Sequence, residues 1–369
     1  MTKLEGLIEE FCPNGVEHRK VKDVYQRLRG TPITAAKMKE ISNENGEIKV
    51  FAGGKTLINA KERDIPNANI TRVPAVLVQS RGIIDVVYYD KPFTFKNEMW
   101  AYTSPDTISV KYLYYVLKNN INYFRDSASG MGSLPQISLP VTEEFKIPAP
   151  PLPVQAEIVR ILDSFTELEA ELEAELEARK KQYEYYRDNL LNLDNKYHME
   201  SLEKISNSIS SGKNKEKDET GLYPVYGSTG IIAKSNSYSY NNEQILVARV
   251  GANAGYVHIA DGKYDVSDNT IIINLKKEYN LRFIYYILQK MKLNRFAKGG
   301  GQPLITASQL KKMMIPIPPI EEQMKIVSIL DRFDKLCNDI SEGLPAEITA
   351  RQKQYEYYRN KLLSFKEKT

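Results

Sequence analysis

Three histidines are the side chains best suited to acid–base or metal chemistry in this chain. His18, His198 and His258 lie far apart in sequence, and none has a companion at the spacing of metal ligands. The stretch AGGKT (52–56) shares residues with a phosphate-binding loop, but that pattern requires glycine at position 49, where the chain has Lys49. No nucleophile is paired with a base. We therefore expect neither a metal centre nor a catalytic site; an enzyme with unremarkable catalytic residues stays open.

The motifs of DNA-modifying enzymes are not matched either. The proline pairs at 150–151 and 318–319 are not preceded by Asp or Asn and followed by an aromatic residue, as the active site of an amino-methyltransferase requires. Pro105–Asp106 has no Glu-x-Lys at a plausible distance, so the core of a metal-dependent nuclease has no support. Both enzyme classes are disfavoured.

Length and composition indicate a soluble protein with more than one domain. The 369 residues are enough for two or three domains, each with its own core. Hydrophobic residues make up 42% of the chain and charged residues 27%, and no apolar run approaches the roughly 18 residues of a membrane span. The first residues lack the apolar core of a signal peptide. Cys12 and Cys337 fit free thiols in a reducing cytoplasm, where we expect the protein to be located.

The charge is unevenly distributed along the chain. The net charge is +4, and Lys and Arg outnumber Asp and Glu in residues 1–145 and 199–314. Residues 146–198 are net acidic and residues 315–369 are neutral. Because basic segments attract polyanions, the two long segments are the candidates for contact with nucleic acid.

Two stretches of the sequence are repeated. RKKQYEYYRDNLL (179–191) returns as RQKQYEYYRNKLL (351–363). Upstream of each copy, IPAPPLPVQAEIVRILD (147–163) matches IPIPPIEEQMKIVSILD (315–331) at ten of seventeen positions. We interpret the chain as a tandem duplication, in which each half is a variable domain followed by a near-identical helix.

The long segments between the repeats correspond more faintly. AVLVQSRG (75–82) is similar to QILVARVG (244–251), and SGMGSLPQIS (129–138) is similar to KGGGQPLIT (298–306). Runs rich in β-branched residues, punctuated by Gly, Asp and Asn, predict antiparallel strands and turns, and each segment then has a Tyr-rich helix and a Gly-rich loop. The fold class predicted is α+β, with two mixed α/β domains. The four segments are 1–145, 146–198, 199–314 and 315–369.

Both repeats predict long helices. Apolar residues at steps of three and four indicate a coiled-coil helix over 155–193. The second copy has the same series with one additional step of four, a stutter that coincides with Gly343 and Pro345. We expect a kink or a break there. The proline-rich stretches 147–153 and 315–323 predict stiff, extended joints between helix and domain.

Taken together, these features resemble the DNA specificity subunit of type I restriction-modification systems over essentially the full length. The resemblance depends on CPNGVEHRKVKDV (12–24), on the paired joints and on the paired KQYEYYR motifs. It implies two target recognition domains at opposite ends of an antiparallel pair of long coiled-coil helices, with pseudo-two-fold symmetry. It also implies a chain that is not itself catalytic.

The resemblance also implies partners and the cofactors that those partners use. Each recognition domain reads one half of a split DNA target in double-stranded DNA. The repeated regions bind two methyltransferase subunits, which use S-adenosylmethionine, and restriction subunits that use ATP and Mg²⁺ join the same complex. We expect no cofactor in this chain.

Candidate contact residues follow from the resemblance. Because Tyr and Arg are favoured at interfaces, the helix ends supply the candidate partner-binding residues Tyr183, Tyr185, Tyr186, Arg187, Tyr355, Tyr357, Tyr358 and Arg359. Basic and amide side chains on turns and loops are candidates for phosphate and base contacts. The candidate DNA-binding residues are Lys55, Gln79, Ser80, Arg81, Ser133, Gln136, Arg249, Asn253, Lys298 and Gln302.

Other interpretations stay open at this point. The KQYEYYR motif also fits a solvated helical end or the filling of a wide coiled-coil seam, and each loop residue also fits a turn-stabilising role. For the whole chain, the alternatives are a symmetric adaptor that holds two protein partners without touching DNA, and a methyltransferase fused to a recognition domain. The missing catalytic motifs disfavour the second.

Overall fold

The computed structural model of the chain describes residues 3–54, 56–129, 134–193, 196–214, 218, 220–299, 301–339 and 342–368. The chain divides into two units: unit 1 comprises Met1–Glu171 with Ile348–Thr369, and unit 2 comprises Leu172–Glu347. Each unit therefore combines one variable segment with helical parts of both repeats.

Unit 1 contains a two-stranded, a three-stranded and a four-stranded sheet, and the later part of α12 (Leu344–Leu362) belongs to it. Its elements are α1 (Lys3–Phe11), β1 (His18–Lys20), α2 (Val21–Val24), β2 (Gln26–Leu28), α3 (Ala35–Ile41), β3 (Ile48–Phe51), β4 (Leu57–Ala60), a 3₁₀ turn (Glu62–Asp64), β5 (Ala75–Gln79), β6 (Asp85–Tyr89), β7 (Phe93–Phe95), β8 (Trp100–Thr103), α4 (Thr107–Asn119), α5 (Ile121–Asp126), α6 (Leu139–Glu143), β9 (Lys146–Pro148) and the first part of α7 (Leu152–Leu190).

Unit 2 repeats much of this order. Its elements, after the second part of α7, are β10 (Met199–Ser201), α8 (Leu202–Ile205), β11 (Ser206–Ser211), β12 (Tyr223–Gly227), β13 (Gly230–Ser235), β14 (Tyr240–Asn241), β15 (Gln244–Ala248), β16 (Val257–Ala260), β17 (Lys263–Val266), β18 (Thr270–Leu275), α9 (Leu281–Lys290), a 3₁₀ turn (Leu293–Phe296), α10 (Ala307–Lys311), β19 (Met314–Pro316), α11 (Ile320–Asn338) and the start of α12 (Leu344–Leu362).

The sheets of the two units have matching topology. Strand order β2-β8-β5-β6 in unit 1 corresponds to β11-β18-β15-β16 in unit 2, and both sheets are antiparallel. Each unit has a further sheet that contains one parallel pair, β3 with β7 and β12 with β17. The α+β class is confirmed, but antiparallel pairing alone was predicted. The parallel pairs join strands far apart in sequence, which local patterns do not reveal.

A buried, Tyr-rich helix packs on each four-stranded sheet. Helix α4 begins where Asp106 accepts hydrogen bonds from the backbone N–H groups of Ile108 and Ser109, and Asn280 caps α9 in the same way. Tyr112 and Leu113 of α4 are fully buried in the core. Burial of a large apolar side chain contributes roughly 2 kcal/mol, so these helices hold their sheets in place.

The identical residues of the repeats anchor each unit. Tyr115 donates a hydrogen bond to Asp163, and Tyr286 donates the equivalent bond to Asp331 at 2.6 Å. Gln155 Nε2 donates to the carbonyl of Pro150 at 2.7 Å, as Gln323 does to that of Pro318 at 2.8 Å. These bonds tie the start of each repeat helix to its own joint and domain.

The proline-rich joints are partly strand. In unit 1, β9 pairs antiparallel with β1, and in unit 2, β19 pairs with β10. The extended joint predicted from the sequence therefore has a ladder partner at its beginning. Helix α7 starts at Leu152, three residues before the predicted start, and ends at Leu190, three residues before the predicted end.

The predicted break in the second repeat is confirmed. Helix α11 ends at Asn338 and α12 begins at Leu344. Gly343 lies so close to α11 that an added Cβ would be 2.5 Å from the carbonyl oxygen of Lys335. Glycine is therefore required where the chain turns from one helix to the next.

The repeat helices run antiparallel within each unit. In unit 1, Phe165 of α7 contacts Tyr358 of α12, whereas Glu169, one turn later, accepts a hydrogen bond from the earlier Gln352. In unit 2, Tyr186 contacts Phe333 of α11. Further along the chain, Lys196 pairs with Glu322 near the start of α11, so the direction is again opposite. Among the described residues, no helix is both long enough and apolar enough to cross a membrane.

Candidate nucleic-acid interface

In unit 1, the turn after β5 and the Gly-rich loop are joined by backbone hydrogen bonds. The N–H of Ile137 donates to the carbonyl of Ser80 at 2.9 Å, and that of Gly82 donates to the carbonyl of Pro135 at 2.8 Å. Gly82 has φ +81°, a conformation that disfavours residues with a Cβ. We call this turn and loop, residues 79–82 and 134–137, the first turn–loop pair.

Unit 2 builds the same arrangement from different side chains. The N–H of Ile305 donates to the carbonyl of Arg249 at 2.9 Å, and that of Gly251 donates to the carbonyl of Pro303 at 3.0 Å. Gly251 has φ +82°. Residues 248–251 and 302–305 form the second turn–loop pair. The weak sequence correspondence between these stretches therefore reflects a shared backbone frame.

The AGGKT stretch lies against the first turn–loop pair. The N–H of Gly54 donates to the carbonyl of Arg81 at 3.1 Å, and Gln79 Nε2 donates to the carbonyl of Gly54 at 3.2 Å. This stretch is the connection between β3 and β4, which form a β-hairpin, and no helix follows it as in a phosphate-binding loop. Lys55, a candidate DNA-binding residue, lies outside the described residues.

The candidate residues of unit 1 fall into three groups. Arg81 and Gln136 are exposed, and their backbones are paired with each other. Gln79 is half-buried. Ser80 is fully buried and its hydroxyl donates to the carbonyl of Glu98, an arrangement that fits the turn-stabilising role. Ser133 lies outside the described residues.

The candidates of unit 2 lie on two surfaces. Lys298 and Gln302 are exposed on the loop of the second turn–loop pair. Arg249 is half-buried and donates from Nη1 to the carbonyl of Asp268 at 3.3 Å. Asn253 instead lines a cavity of about 440 Å³, which it shares with Arg187 of the repeat helix. Lys298, Gln302 and Arg249 therefore lie together, whereas Asn253 lies beside the repeat helix.

Sequence reasoning missed two further segments at the same end of each sheet. The turn before β8 contributes Glu98, and the equivalent turn before β18 contributes Asn269, whose carbonyl accepts from the N–H of Arg249 at 2.8 Å. The strand ends after β2 and β11 approach the ends of β7 and β17. An ideal Cβ on Gly30 would lie 2.2 Å from the carbonyl oxygen of Phe95, and one on Gly212 would lie 2.2 Å from that of Val266. A glycine flanked by a basic residue, in each case directly after a strand, is the signal that could have indicated these segments.

The three tyrosines of each KQYEYYR motif have different surroundings. Tyr183 is 8% exposed and packs against Phe333, while Tyr186 stacks on the same ring. Tyr185 is 67% exposed and Tyr357, its equivalent, is 62% exposed. The middle tyrosine of each motif is therefore the most exposed of the three.

The second motif has the same division. Tyr355 is half-buried against Phe165, and Tyr358 stacks on that ring. Arg359 lies over the Tyr355 ring at 5.2 Å and donates to Asn119 at 2.9 Å, so it ties the motif to the domain of unit 1. Arg187 lies similarly over Tyr183, at 5.6 Å.

These positions separate seam residues from exposed residues among the candidates for partner binding. Tyr183 is enclosed within unit 2, and Arg187 is committed to Tyr183 and Asp188, so both act in the seam. Tyr355 and Arg359 do the same in unit 1. The prediction of partner binding stays for the exposed Tyr185 and Tyr357 and for the partly exposed Tyr186 and Tyr358.

Comparison with known proteins agrees with this duplicated frame. The family model described as "Type I restriction modification DNA specificity domain" matches the chain twice, at residues 13–178 and 196–350. The specificity subunit of the type I restriction enzyme EcoprrI of Escherichia coli is 33% identical over 258 residues, which is 64% of this chain and 64% of that protein. The EcoR124I/EcoR124II specificity subunit of Escherichia coli is 36% identical over 289 residues, 69% of this chain and 71% of that protein.

Solved structures show a similar fold. The crystal structure of the S subunit of a type I restriction-modification system from M. genitalium has a TM-score of 0.67 at 18% identity, covering 94% of this chain and 96% of that chain. A chain from a type I system, described for its complex assembly and conformational transition, has a TM-score of 0.55 at 14% identity, covering 95% of this chain and 98% of that one.

The fold and the paired frames define a two-domain recognition protein. The chain belongs to the type I restriction modification DNA specificity family. The two relatives described above are specificity subunits of type I restriction enzymes. The described residues contain no group of three or more His, Cys, Asp and Glu side chains that could hold a metal ion.

Proposed function

We propose that this chain recognises a bipartite, asymmetric DNA target, with one half-site read at each turn–loop pair. The observation that carries the proposal is the frame shared by the two units. Equivalent backbone hydrogen bonds join each turn to its loop, from Ile137 to Ser80 and from Gly82 to Pro135 in unit 1. In unit 2 they run from Ile305 to Arg249 and from Gly251 to Pro303. Because the frame is the same and the side chains differ, the two half-sites have different sequences.

The charges of the variable segments support contact with duplex DNA. Both segments are net basic, and Arg81 and Lys298 are exposed on the loops. Neither residue has an ion pair with an acidic side chain among the described residues. Uncompensated cations next to amide side chains suit combined contacts with phosphates and base edges.

The proposal extends to the partners of the complex. The exposed tyrosines, Tyr185 and Tyr357, occupy equivalent positions on the two copies of the repeat. Two equivalent surfaces suit two copies of one partner, so each docks one methyltransferase subunit, and restriction subunits join through these. S-adenosylmethionine, ATP and Mg²⁺ are then used by the partner subunits.

A gel-shift experiment with and without added methyltransferase subunits tests this function. We expect salt-dependent binding to a DNA target that the complex methylates, which mapping of methylated adenines in cellular DNA identifies. An adaptor would bind both subunits and leave DNA affinity unchanged. Methyl transfer by the isolated chain would overturn the assignment of catalysis to the partners.

A further inference from the structure

A cavity of about 680 Å³ opens beside the first turn–loop pair. It is lined by Arg29 at the end of β2, by Asn67 in the loop before β5, and by Asn97 and Glu98 in the turn before β8. The carbonyl of Glu98 accepts the hydrogen bond of the buried Ser80 hydroxyl. The turn before β8 therefore borders the cavity on one side and contacts the first turn–loop pair on the other.

Three polar side chains in this cavity are uncommitted. Arg29, Asn67 and Asn97 are exposed, and none makes a side-chain hydrogen bond or ion pair with the residues that the structure describes. The other charges of the lining are compensated: Arg27 lies 3.5 Å from Glu143, and Glu98 lies 2.9 Å from Lys96. Arg29 is left as the one cation of the lining without a counter-charge among the described residues.

The backbone around Arg29 is held in place. The side chain of Asn69 donates from Nδ2 to the carbonyl of Arg29 at 2.7 Å. The backbone N–H of Asn69 donates to Thr31 Oγ1 at 2.8 Å. Thr31 is fully buried and hydrogen-bonded to Thr94. These bonds fix the strand end and the 67–69 loop together, so a ligand of the cavity meets a preorganised wall.

We infer that this cavity binds the sugar–phosphate backbone of the DNA strand that flanks the half-site read by unit 1. This inference rests on the proposed function. A recess receives the convex backbone of a duplex, whereas reading of base edges needs side chains that protrude into a groove. A guanidinium with two carboxamides provides a charge and hydrogen-bond donors for phosphate oxygens.

Unit 2 lacks the corresponding charge. Tyr102 of β8 and Ile273 of β18 occupy equivalent positions, because they pair with the equivalent residues of β5 and β15. Arg27 pairs with Tyr102 and Ile209 pairs with Ile273, so Arg27 corresponds to Ile209. The position of Arg29 is then Ser211. By the same register, Asn97 corresponds to Asp268, whose carboxylate repels phosphate. The additional backbone contact therefore belongs to one half-site only.

The test measures how the affinity of the whole complex for its target depends on salt. We expect Arg29→Ala to lower the slope of log affinity against log salt by about one, since one phosphate contact is lost. If the variant and the unmodified complex bind equally at about 1 M salt, this difference in slope makes the affinity of the variant about eightfold weaker at roughly 0.1 M salt. Arg29→Lys should retain the slope. The matched control is Arg63→Ala, an exposed arginine of unit 1 outside the cavity.

The converse change tests the asymmetry. Ser211→Arg combined with Asp268→Asn should raise the slope by about one, because it builds the same lining in unit 2. Preference for the target sequence should be unaffected in all variants. An unchanged slope in Arg29→Ala, while Arg81→Ala weakens binding, would overturn the inference, as would a changed base preference at the first half-site. Absence of target-specific binding by the unmodified complex would instead refute the proposed function, and the inference with it.

Discussion

Phe165 of the first repeat stacks on Tyr358 of the second, with ring centroids 5.6 Å apart and ring planes inclined by 22°. The equivalent pair in unit 2, Phe333 and Tyr186, has a distance of 5.5 Å and an angle of 25°. Each pair takes one ring from each copy of the repeat. Both copies are therefore needed to complete either unit, which explains physically why the chain contains the motif twice.

Loss of one ring should destabilise the unit that contains it. Tyr358→Ala is expected to lower the free energy of unfolding of unit 1 by about 1–2 kcal/mol, because it removes an aromatic pair and partly buried area. Tyr358→Phe keeps the ring and should change stability by less than about 0.5 kcal/mol. Hydrogen exchange measures each unit separately. Equal loss of protection in both units would contradict local packing of this ring.

The exposed tyrosines should affect assembly and leave folding intact. Replacing Tyr185 and Tyr357 by Ala should weaken binding of methyltransferase subunits at least tenfold, as for an interface anchor, with an unchanged melting temperature. The opposite control is Tyr183→Ala, which should lower the melting temperature because the ring is buried. Titration of the purified chain with methyltransferase subunits measures both affinities. Full affinity in the double variant would exclude these tyrosines from the interface.

Exchange of one variable segment should change one half-site only. If residues 20–145 are replaced by the equivalent segment of a homologue, the frame and core of unit 2 stay intact. We expect one half of the methylated sequence to change and the other to stay. Sequencing of methylated adenines makes the comparison, and a simultaneous change of both halves would be incompatible with independent reading.

Helix length should set the number of unread base pairs between the half-sites. An insertion of four helical residues after Leu172 adds about 6 Å and rotates the rest of the helix by about 40°. This rise is comparable to about two base pairs, so the preferred gap should lengthen by one or two while both half-sites survive. Deletion around Gly343 is a poorer test, because the chain there is a turn that is not helical. An unchanged gap at full affinity would show that the helices do not set the spacing.

Stability of unit 2 should fall in mild acid because of His258. Burial lowers the pKa of this imidazole from its ordinary 6.5 to about 4, and neither ring nitrogen has a hydrogen-bond partner among the described residues. The ring lies between Tyr226 and Tyr256. The unfolded chain therefore binds a proton that the folded unit excludes, and stability decreases as the pH falls from about 6.5 to about 4.

The size of this effect can be bounded and checked. The total loss is at most about 3.5 kcal/mol, from about 1.4 kcal/mol per pKa unit. Denaturant unfolding at several pH values should show it, and His258→Phe should remove most of the dependence while keeping a ring between the tyrosines. His198 is exposed, so His198→Gln serves as the control. A dependence of the same size in His258→Phe would assign it to other groups.

Strand periodicity does not reveal which residue of the first turn is buried. Ser80 continues the row of Val76 and Val78, while Gln79 and Arg81 continue the row of Leu77, and both rows are buried within β5. Helical spacing, in contrast, places Tyr183 and Tyr186 in the seam and Tyr185 outside it.

The sequence by itself determined the duplication, the α+β class, the helix α7 to within three residues at each end and the break at Gly343, because all of these follow from local repetition, periodicity and backbone restrictions. Only the tertiary structure decided which loops lie together. The contacts of Gly54 with Arg81 and of Arg29 with Asn69 join residues distant in sequence. Such contacts depend on strand order and on parallel pairings such as β3 with β7, which are set by packing of the whole core and leave no local pattern.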